Sequence, residues 1–272
     1  MSRPESVAPA EYFYNSVEAE KYTSNSRIIE IQSHMSQRAI ELLSLPEPGC
    51  LILDLGCGSG LSGSELSDEG HFWIGLDISP SMLEVALDRE TEGDLILSDI
   101  GQGFNFFPGA FDGCISISAL QWLCNAEKTS QNPYKRFSKL FDSLYKVLAR
   151  GARAVFQFYP SHPSQIEIIT QAAVKSGFMA DMIIDFPEST KAKKYYLILQ
   201  TGNRVNNYNP APLQNEDEIK VSKRKIQKNS KHVKVKHKSK DWISNKKERQ
   251  RKQGKDVRPD SKYTGRKRNP MF

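Results

Sequence analysis

Leu51-Ile52-Leu53-Asp54-Leu55-Gly56-Cys57-Gly58-Ser59-Gly60 is the stretch whose reading decides the fold. The apolar run from Leu51 to Leu55, with Asp54 set into it, reads as a buried parallel strand. It opens into glycines at 56, 58 and 60, which allow a sharp turn and a close approach of backbone to a ligand. Strand, glycine loop and helix in succession make a nucleotide-like site at the carboxyl edge of an open α/β sheet. Two more acids sit in equivalent places. Asp77 ends the apolar run 72–77 and Asp99 ends the run 95–99, each about one β-α unit further on. A carboxylate at the second strand end can accept both hydroxyls of a ribose, and one at the third can accept an exocyclic adenine amine. Asp54 reads as an electrostatic, loop-shaping group beside a cation. A single Asp in such a place equally well caps the helix that follows. Three in succession favour an adenosine ligand.

The spacing here is G-x-G-x-G, with an acid two residues before the first glycine, instead of the wider G-x-G-x-x-G turn suited to a pyrophosphate. That acid would repel NAD but suits a cationic, phosphate-free cofactor, so an NAD-dependent oxidoreductase is disfavoured. At these residues the chain resembles the class I S-adenosylmethionine-dependent methyltransferases. The resemblance continues through Phe111 to Ser118, which looks like their fourth strand, and Leu144 to Pro160, which looks like their following helix and fifth strand. It implies a Rossmann-like α/β sheet, mostly parallel with a terminal antiparallel strand. It implies S-adenosylmethionine as cofactor, held by Asp54, Gly56, Cys57, Gly58, Gly60, Asp77, Ile78, Asp99, Ile100 and Ser116.

The 272 residues divide into two electrostatic objects. Residues 221–272 hold 20 Lys+Arg against 4 Asp+Glu, whereas 1–220 hold 18 against 28. An acidic body with a basic tail points to a polyanion such as nucleic acid. Cysteines 50, 57, 114 and 124 form no C-x-x-C pair and read as packed free thiols in a reducing compartment. Neither their spacing nor any His pair supports zinc. No run approaches the roughly 20 apolar residues of a membrane span, and no secretory signal opens the chain. The expectation is a soluble intracellular protein.

Three regions follow. Residues 1–50 combine an aromatic segment (Tyr12, Phe13, Tyr14, Tyr22) with an amphipathic helix whose apolar positions run from Ile28 to Leu42, stopped by Pro46 and Pro48. The aromatics either pack on that helix or fold over the cofactor as a lid. Residues 51–203 alternate strand and helix, with helices opening at Pro80 and Pro133, a strand 152–158, a helix 163–176, and two late strands near 179–186 and 194–201. Residues 204–272 have too few large apolar side chains to offset chain entropy, and are expected to be mostly disordered.

The acceptor signal lies in Ser118-Ala119-Leu120-Gln121-Trp122-Leu123-Cys124-Asn125. Trp122 either stacks on a flipped-out base or packs beneath the loop, and Gln121 suits a base edge. Cys114 and Cys124 are weak candidates for a nucleophile. At this level the chain resembles the eukaryotic methyltransferases that make N7-methylguanosine in 18S rRNA during assembly of the 40S subunit. The residues that carry this are Glu11 to Tyr14, LDLGCGSGLSG at 53–63, SISALQWLCN at 116–125, YPSHPSQIE at 159–167 and Tyr263 to Arg268. The resemblance implies positioning residues in place of a general base, with Gln121, Trp122 and Tyr14 as candidates. It also implies 18S rRNA within pre-40S particles and a small zinc-binding activator as partners, the latter on an edge strand from Asp94 to Ser98. Nuclear, nucleolar and cytoplasmic location follows from the same source, in keeping with Lys/Arg clusters at 223–225, 246–252 and 266–268. The rival readings are a small-molecule or lipid methyltransferase and an assembly factor whose binding matters more than its methylation.

Overall fold

The computed structural model describes residues 4–125, 132–189, 191–202, 211–214, 240–252 and 257–260. In chain order they form α1 (Ala10–Phe13), α2 (Ser16–Ser24), α3 (Ser26–Leu43), β1 (Leu51–Leu55), α4 (Leu61–Asp68), β2 (Phe72–Asp77), α5 (Pro80–Asp88), β3 (Asp94–Leu97), β4 (Phe111–Ile117), α6 (Pro133–Val147), β5 (Leu148–Phe158), α7 (Pro163–Lys175), β6 (Met179–Asp185), β7 (Lys194–Gln200) and α8 (Lys240–Lys252). The chain separates into two units, Met1–Glu216 and Asp217–Phe272.

In the first unit seven strands form one sheet in the order β3-β2-β1-β4-β5-β7-β6. Strands β1 to β5 pair in parallel, and β7 enters antiparallel between β5 and β6. The strand order reverses between β1 and β4, so their carboxyl ends open a crevice at the topological switch point. Side chains alternate across the sheet, as period-two geometry requires. Ile52, Trp73, Ile115 and Val155 pack with Met35, Ala39 and Leu42 of α3 on one face. Leu53, Leu76, Cys114 and Phe156 pack with Phe137, Leu140 and Phe141 of α6 and with Ile169 of α7 on the other.

Three elements depart from the sequence expectation. Helix α3 ends before its prolines, at Ser44, which takes a left-handed φ of 52° and bonds back to Glu41 O. The fifth strand starts at Leu148, four residues early, because Gly151 (φ 84°) is absorbed as an irregularity in the β4–β5 register. The acidic body also continues past residue 203. Arg38, buried in α3, bonds Asp185 at 3.1 Å and Ala211 O at 2.8 Å, and Asp185 also accepts from Leu213 N at 2.8 Å. This buried ion pair secures the segment 211–214 beside the end of β6.

In the second unit the tail contains a helix where none was expected. The side chains of α8 are rich in good helix formers. Lys246 lies over the Trp242 ring one turn away, and Asp260 pairs with Lys247 and Arg251. Of the three basic clusters only 246–252 falls within the described residues; those at 223–225 and 266–268 lie outside them, as does most of the segment expected to be disordered.

Trp73 provides a test of the packing. Its indole lies against α4, where a Cβ added to Gly63 would come within 2.1 Å of the ring. An alanine there gains about 1 kcal/mol of helix propensity but overpacks a rigid bicycle, at about 1–3 kcal/mol or more. Gly63→Ala is therefore expected to lower the denaturation midpoint, by a net of about 1–2 kcal/mol.

Candidate active site

The cavity lies at the carboxyl ends of β1, β2, β3 and β4. Gly56, Gly58 and Gly60 hold left-handed φ values of 77°, 53° and 75°, which L side chains rarely adopt. Gly56 is also close-packed: a Cβ there would stand 2.3 Å from that of Ala119, so the segment after β4 closes directly on the loop. Gly56 N and Cys57 N donate to Leu76 O at 2.7 and 3.2 Å, tying the loop to β2. The Asp77 carboxylate then accepts from Gly58 N and Ser79 N, both at 2.8 Å, and faces the cavity with acceptor capacity left over. Burial raises its pKa, against those backbone donors.

Asp99 stands at the third strand end. Its Oδ1 accepts from Gly101 N at 2.9 Å and from Arg136 Nη2 at 2.8 Å. Ser98, Asp99, Ile100 and Arg136 form this side of the cavity wall. Asp54 is different. It is fully buried, outside the wall; its Oδ2 accepts from the Ser62 hydroxyl at 2.6 Å, and its Oδ1 has no partner. Desolvation pushes its pKa up to about 7, with Asp77 adding to the rise.

Over the cavity lies the N-terminal segment. The Ser79 hydroxyl donates to Tyr14 O at 2.8 Å, and Asn125 Nδ2 donates to Glu5 O at 2.6 Å. The Tyr14 ring stands 5.6 Å from Trp122 and 5.9 Å from Tyr22, while Phe13 lies 5.9 Å from Trp122. Burial raises the Tyr14 phenol, so it remains protonated at neutral pH and is no base. The aromatics thus pack on one another and cover the cavity at once. Trp122 is 8% exposed and has these rings against it, so a base could stack on it only if the segment moved.

Of the residues read from the sequence, Gly56, Cys57, Gly58, Asp77, Ile78, Asp99, Ile100, Tyr14 and Trp122 line the cavity. Four do not. Asp54 lies behind the loop, and Gly60 caps α4 and abuts Thr91. Ser116 is buried in β4 with its hydroxyl on Leu55 O. Gln121 is turned inward, its Nε2 donating to Ser118 O at 2.8 Å and its Oε1 buried without a partner, so the amide faces the loop and not the cavity. Tyr22, from the aromatic segment expected as a lid, also lines the cavity, and Gln32, Met82 and Arg136 join the wall with no sequence signal for that role. Ser118, named only within its motif, takes a left-handed φ of 58° and bonds Gln157 at 2.7 Å. Burial raises the thiols of Cys57 and Cys114 well up, and that of Cys124 to about 11, so none is an activated nucleophile. Among the described residues no group of three potential ligands could hold a metal.

Asp54 carries a pH signature. Its folded pKa lies above the unfolded value, so the unfolded chain releases its proton first as pH rises. Stability should therefore fall between about pH 4 and pH 7 and level off above that window. At about 1.4 kcal/mol per unit the loss is on the order of a few kcal/mol. Asp54→Asn is expected to flatten this slope and to raise the melting temperature most above pH 7, as read by thermal unfolding across the pH range.

Comparison with known proteins agrees with this geometry. A general methyltransferase-domain family matches residues 53–156, and the family described as "Methyltransferase involved in Williams-Beuren syndrome" matches residues 199–270. Among solved structures, a TehB-like SAM-dependent methyltransferase from Corynebacterium glutamicum has a TM-score of 0.53 at 19% identity, over 69% of this chain and 100% of that one. Phosphoethanolamine N-methyltransferase 2 of Haemonchus contortus, solved with S-adenosyl-L-methionine, gives a TM-score of 0.53 at 16% identity, over 75% and 61%. These share the fold. The 18S rRNA (guanine-N(7))-methyltransferase of Mus musculus is 53% identical over 99% of this chain and 98% of its own length. The 18S rRNA (guanine(1575)-N(7))-methyltransferase of Saccharomyces cerevisiae is 46% identical over 100% of both. With identity of this order running from end to end, the chain belongs to the family of 18S rRNA (guanine-N(7))-methyltransferases.

Proposed function

We propose that this protein transfers a methyl group from S-adenosylmethionine to N7 of a guanosine in 18S rRNA during assembly of the small ribosomal subunit. The observation that carries the reading is its end-to-end likeness to that family, together with a cavity formed by the glycine loop, Asp77 and Asp99. The residues fit the cofactor. Asp77 has acceptor capacity for a ribose diol, Asp99 for an adenine amine, and the backbone at Gly56 and Gly58 leaves no room for a Cβ. The buried, unpartnered Ser59 hydroxyl in the wall suits the charged methionine end, which Asp54, sealed behind the loop, can influence only through its field.

When bound, the cofactor supplies an electrophilic methyl on a sulfonium. Guanine N7 already carries a lone pair, so no side chain has to remove a proton. The protein's task is to align the two partners and exclude water, and orientation of this kind contributes on the order of 7–11 kcal/mol to lowering the barrier. Trp122, Tyr14 and Tyr22 form the apolar wall that serves this purpose, and Gln121 holds the Ser118 turn in shape. The absence of a His/carboxylate pair among the described wall residues is consistent with such a reaction.

Strand β3 lies at the edge of the sheet, and its Leu97 is 59% exposed. After Asp94, its Leu95-Ile96-Leu97 run carries no charge or proline and invites strand addition, so we assign this edge to the small zinc-binding activator. The basic tail supplies phosphate contacts and nuclear import, placing the protein in the nucleus and cytoplasm.

Co-expression with the activator, followed by incubation with labelled S-adenosylmethionine and immature small-subunit particles, tests this reading. Label is expected at N7 of one 18S guanosine, and Asp77→Ala should lower its incorporation at least a hundredfold while the circular dichroism spectrum is retained. Binding of the cofactor with no RNA label would refute the acceptor assignment. Normal subunit maturation in the silent variant would shift the biology to binding. Expressed alone, the protein is expected to aggregate on size-exclusion chromatography; a stable, fully active monomer would remove the case for an edge-strand partner.

A further inference from the structure

Arg136 is an anomaly in the wall of the cavity. It lies in the first turns of α6, among residues packed into the core, and is only 7% exposed. Of its three guanidinium nitrogens, Nη2 donates to Asp99 Oδ1 at 2.8 Å, whereas Nε and Nη1 are buried and without a hydrogen-bond partner. The guanidinium lies flat on the backbone at Gly101, where a Cβ would come within 2.3 Å of Nε. Glycine at 101 therefore makes room for this cation.

A guanidinium buried with one partner and two unsatisfied donors carries a desolvation cost that its single ion pair does not fully return. Unsatisfied buried donors of this kind call for a functional explanation. Asp99 supplies one. Its Oδ1 is held by Arg136 and by Gly101 N, which fixes the carboxylate plane. Oδ2 has only the long 3.4 Å approach of the Gln102 amide. Asp99 lines the cavity, and its second oxygen keeps acceptor capacity for a ligand donor there.

We propose that Arg136 is a positioning residue that orients Asp99 as a hydrogen-bond acceptor, and that the pair makes the site select a 6-aminopurine over a 6-oxopurine. The inference rests on the reading of this end of the cavity as the adenine subsite. Adenine presents an amine to Asp99 Oδ2. Hypoxanthine presents a carbonyl oxygen against a carboxylate oxygen, leaving both unsatisfied. Loss of one charge-assisted hydrogen bond corresponds to about ten- to a hundredfold in affinity.

The test is calorimetric titration of the full chain, co-purified with its co-expressed activator, with S-adenosylhomocysteine and with its 6-oxo counterpart, S-inosylhomocysteine, alongside melting temperatures. The unaltered protein is expected to favour the amino ligand by about ten- to a hundredfold. Arg136→Met should lose most of that preference, through weaker binding of the amino ligand, with a lower melting temperature because Asp99 is left without its cation. Arg136→Lys should recover part of the preference. Gly101→Ala, which displaces the guanidinium yet retains both charged groups, should reproduce the loss and keeps the test open should the Met variant fold poorly. Equal weakening for both ligands would show a structural brace and overturn the proposal, as would an undiminished preference in both variants. Binding of neither ligand by the unaltered protein would instead overturn the cofactor reading on which the inference stands.

Discussion

The carboxylate of Asp77 is the interaction on which the site depends. It joins the glycine loop after β1 to the start of α5 after β2, by accepting from Gly58 N and Ser79 N. Ser79 then caps α5 through Met82 N and donates its hydroxyl to Tyr14 O, so the same corner also holds the covering segment. Loop, helix start and lid are coupled through two residues. Because a carboxylate has about four acceptor positions and the loop uses only some of them, this structural knot retains capacity for a ligand. The arrangement concentrates burial of negative charge: Asp54 and Asp77 are both raised by desolvation, and each gains from a cation or hydrogen-bond donor placed in the cavity.

This cost is consistent with a chemistry that asks for alignment rather than proton transfer. In the wall the Cys57 thiol and the Tyr14 phenol are raised away from neutrality, so neither is an activated nucleophile or base. What the wall offers is shape, in the interlocked rings of Phe13, Tyr14, Tyr22 and Trp122, and a turn held by the left-handed Ser118. Strained backbone of this kind persists where its surroundings over-determine it. Here Gln157 and Gln121 do so, one through the Ser118 hydroxyl and the other through its carbonyl.

The strands and most core helices were legible in the sequence because their signals are local. Short apolar runs stop at Asp or Gly, and Ser79-Pro80 and Asn132-Pro133 carry both cap and first helical residue, as their hydrogen bonds to Met82 N and Tyr134 N show. Helices α1 and α2 were not legible. Helix α1 is a single turn, and α2 is mostly polar and buries only Ala19, so no period marks them. Helix α8 was missed for a related reason: its support comes from Asp260, which a reading based on hydrophobicity cannot weigh. The clasp of Arg38 on Asp185 and Ala211 joins residues more than 140 positions apart and leaves no local trace.

The sequence by itself determined the succession of strands and core helices from α3 to β7, the glycine loop and the three acids at successive strand ends, because each depends on neighbours within a few residues. Only the tertiary structure decided which way those groups face. Asp77 and Asp99 look into the cavity while Asp54 is sealed behind the loop, and Gln121 turns away although Trp122 beside it lines the wall. Arg136, one charged side chain among several on α6, gains its meaning only when packing brings it across Gly101 to Asp99. The direction of a side chain at a sheet edge is set by what packs behind it, and that comes from distant parts of the chain.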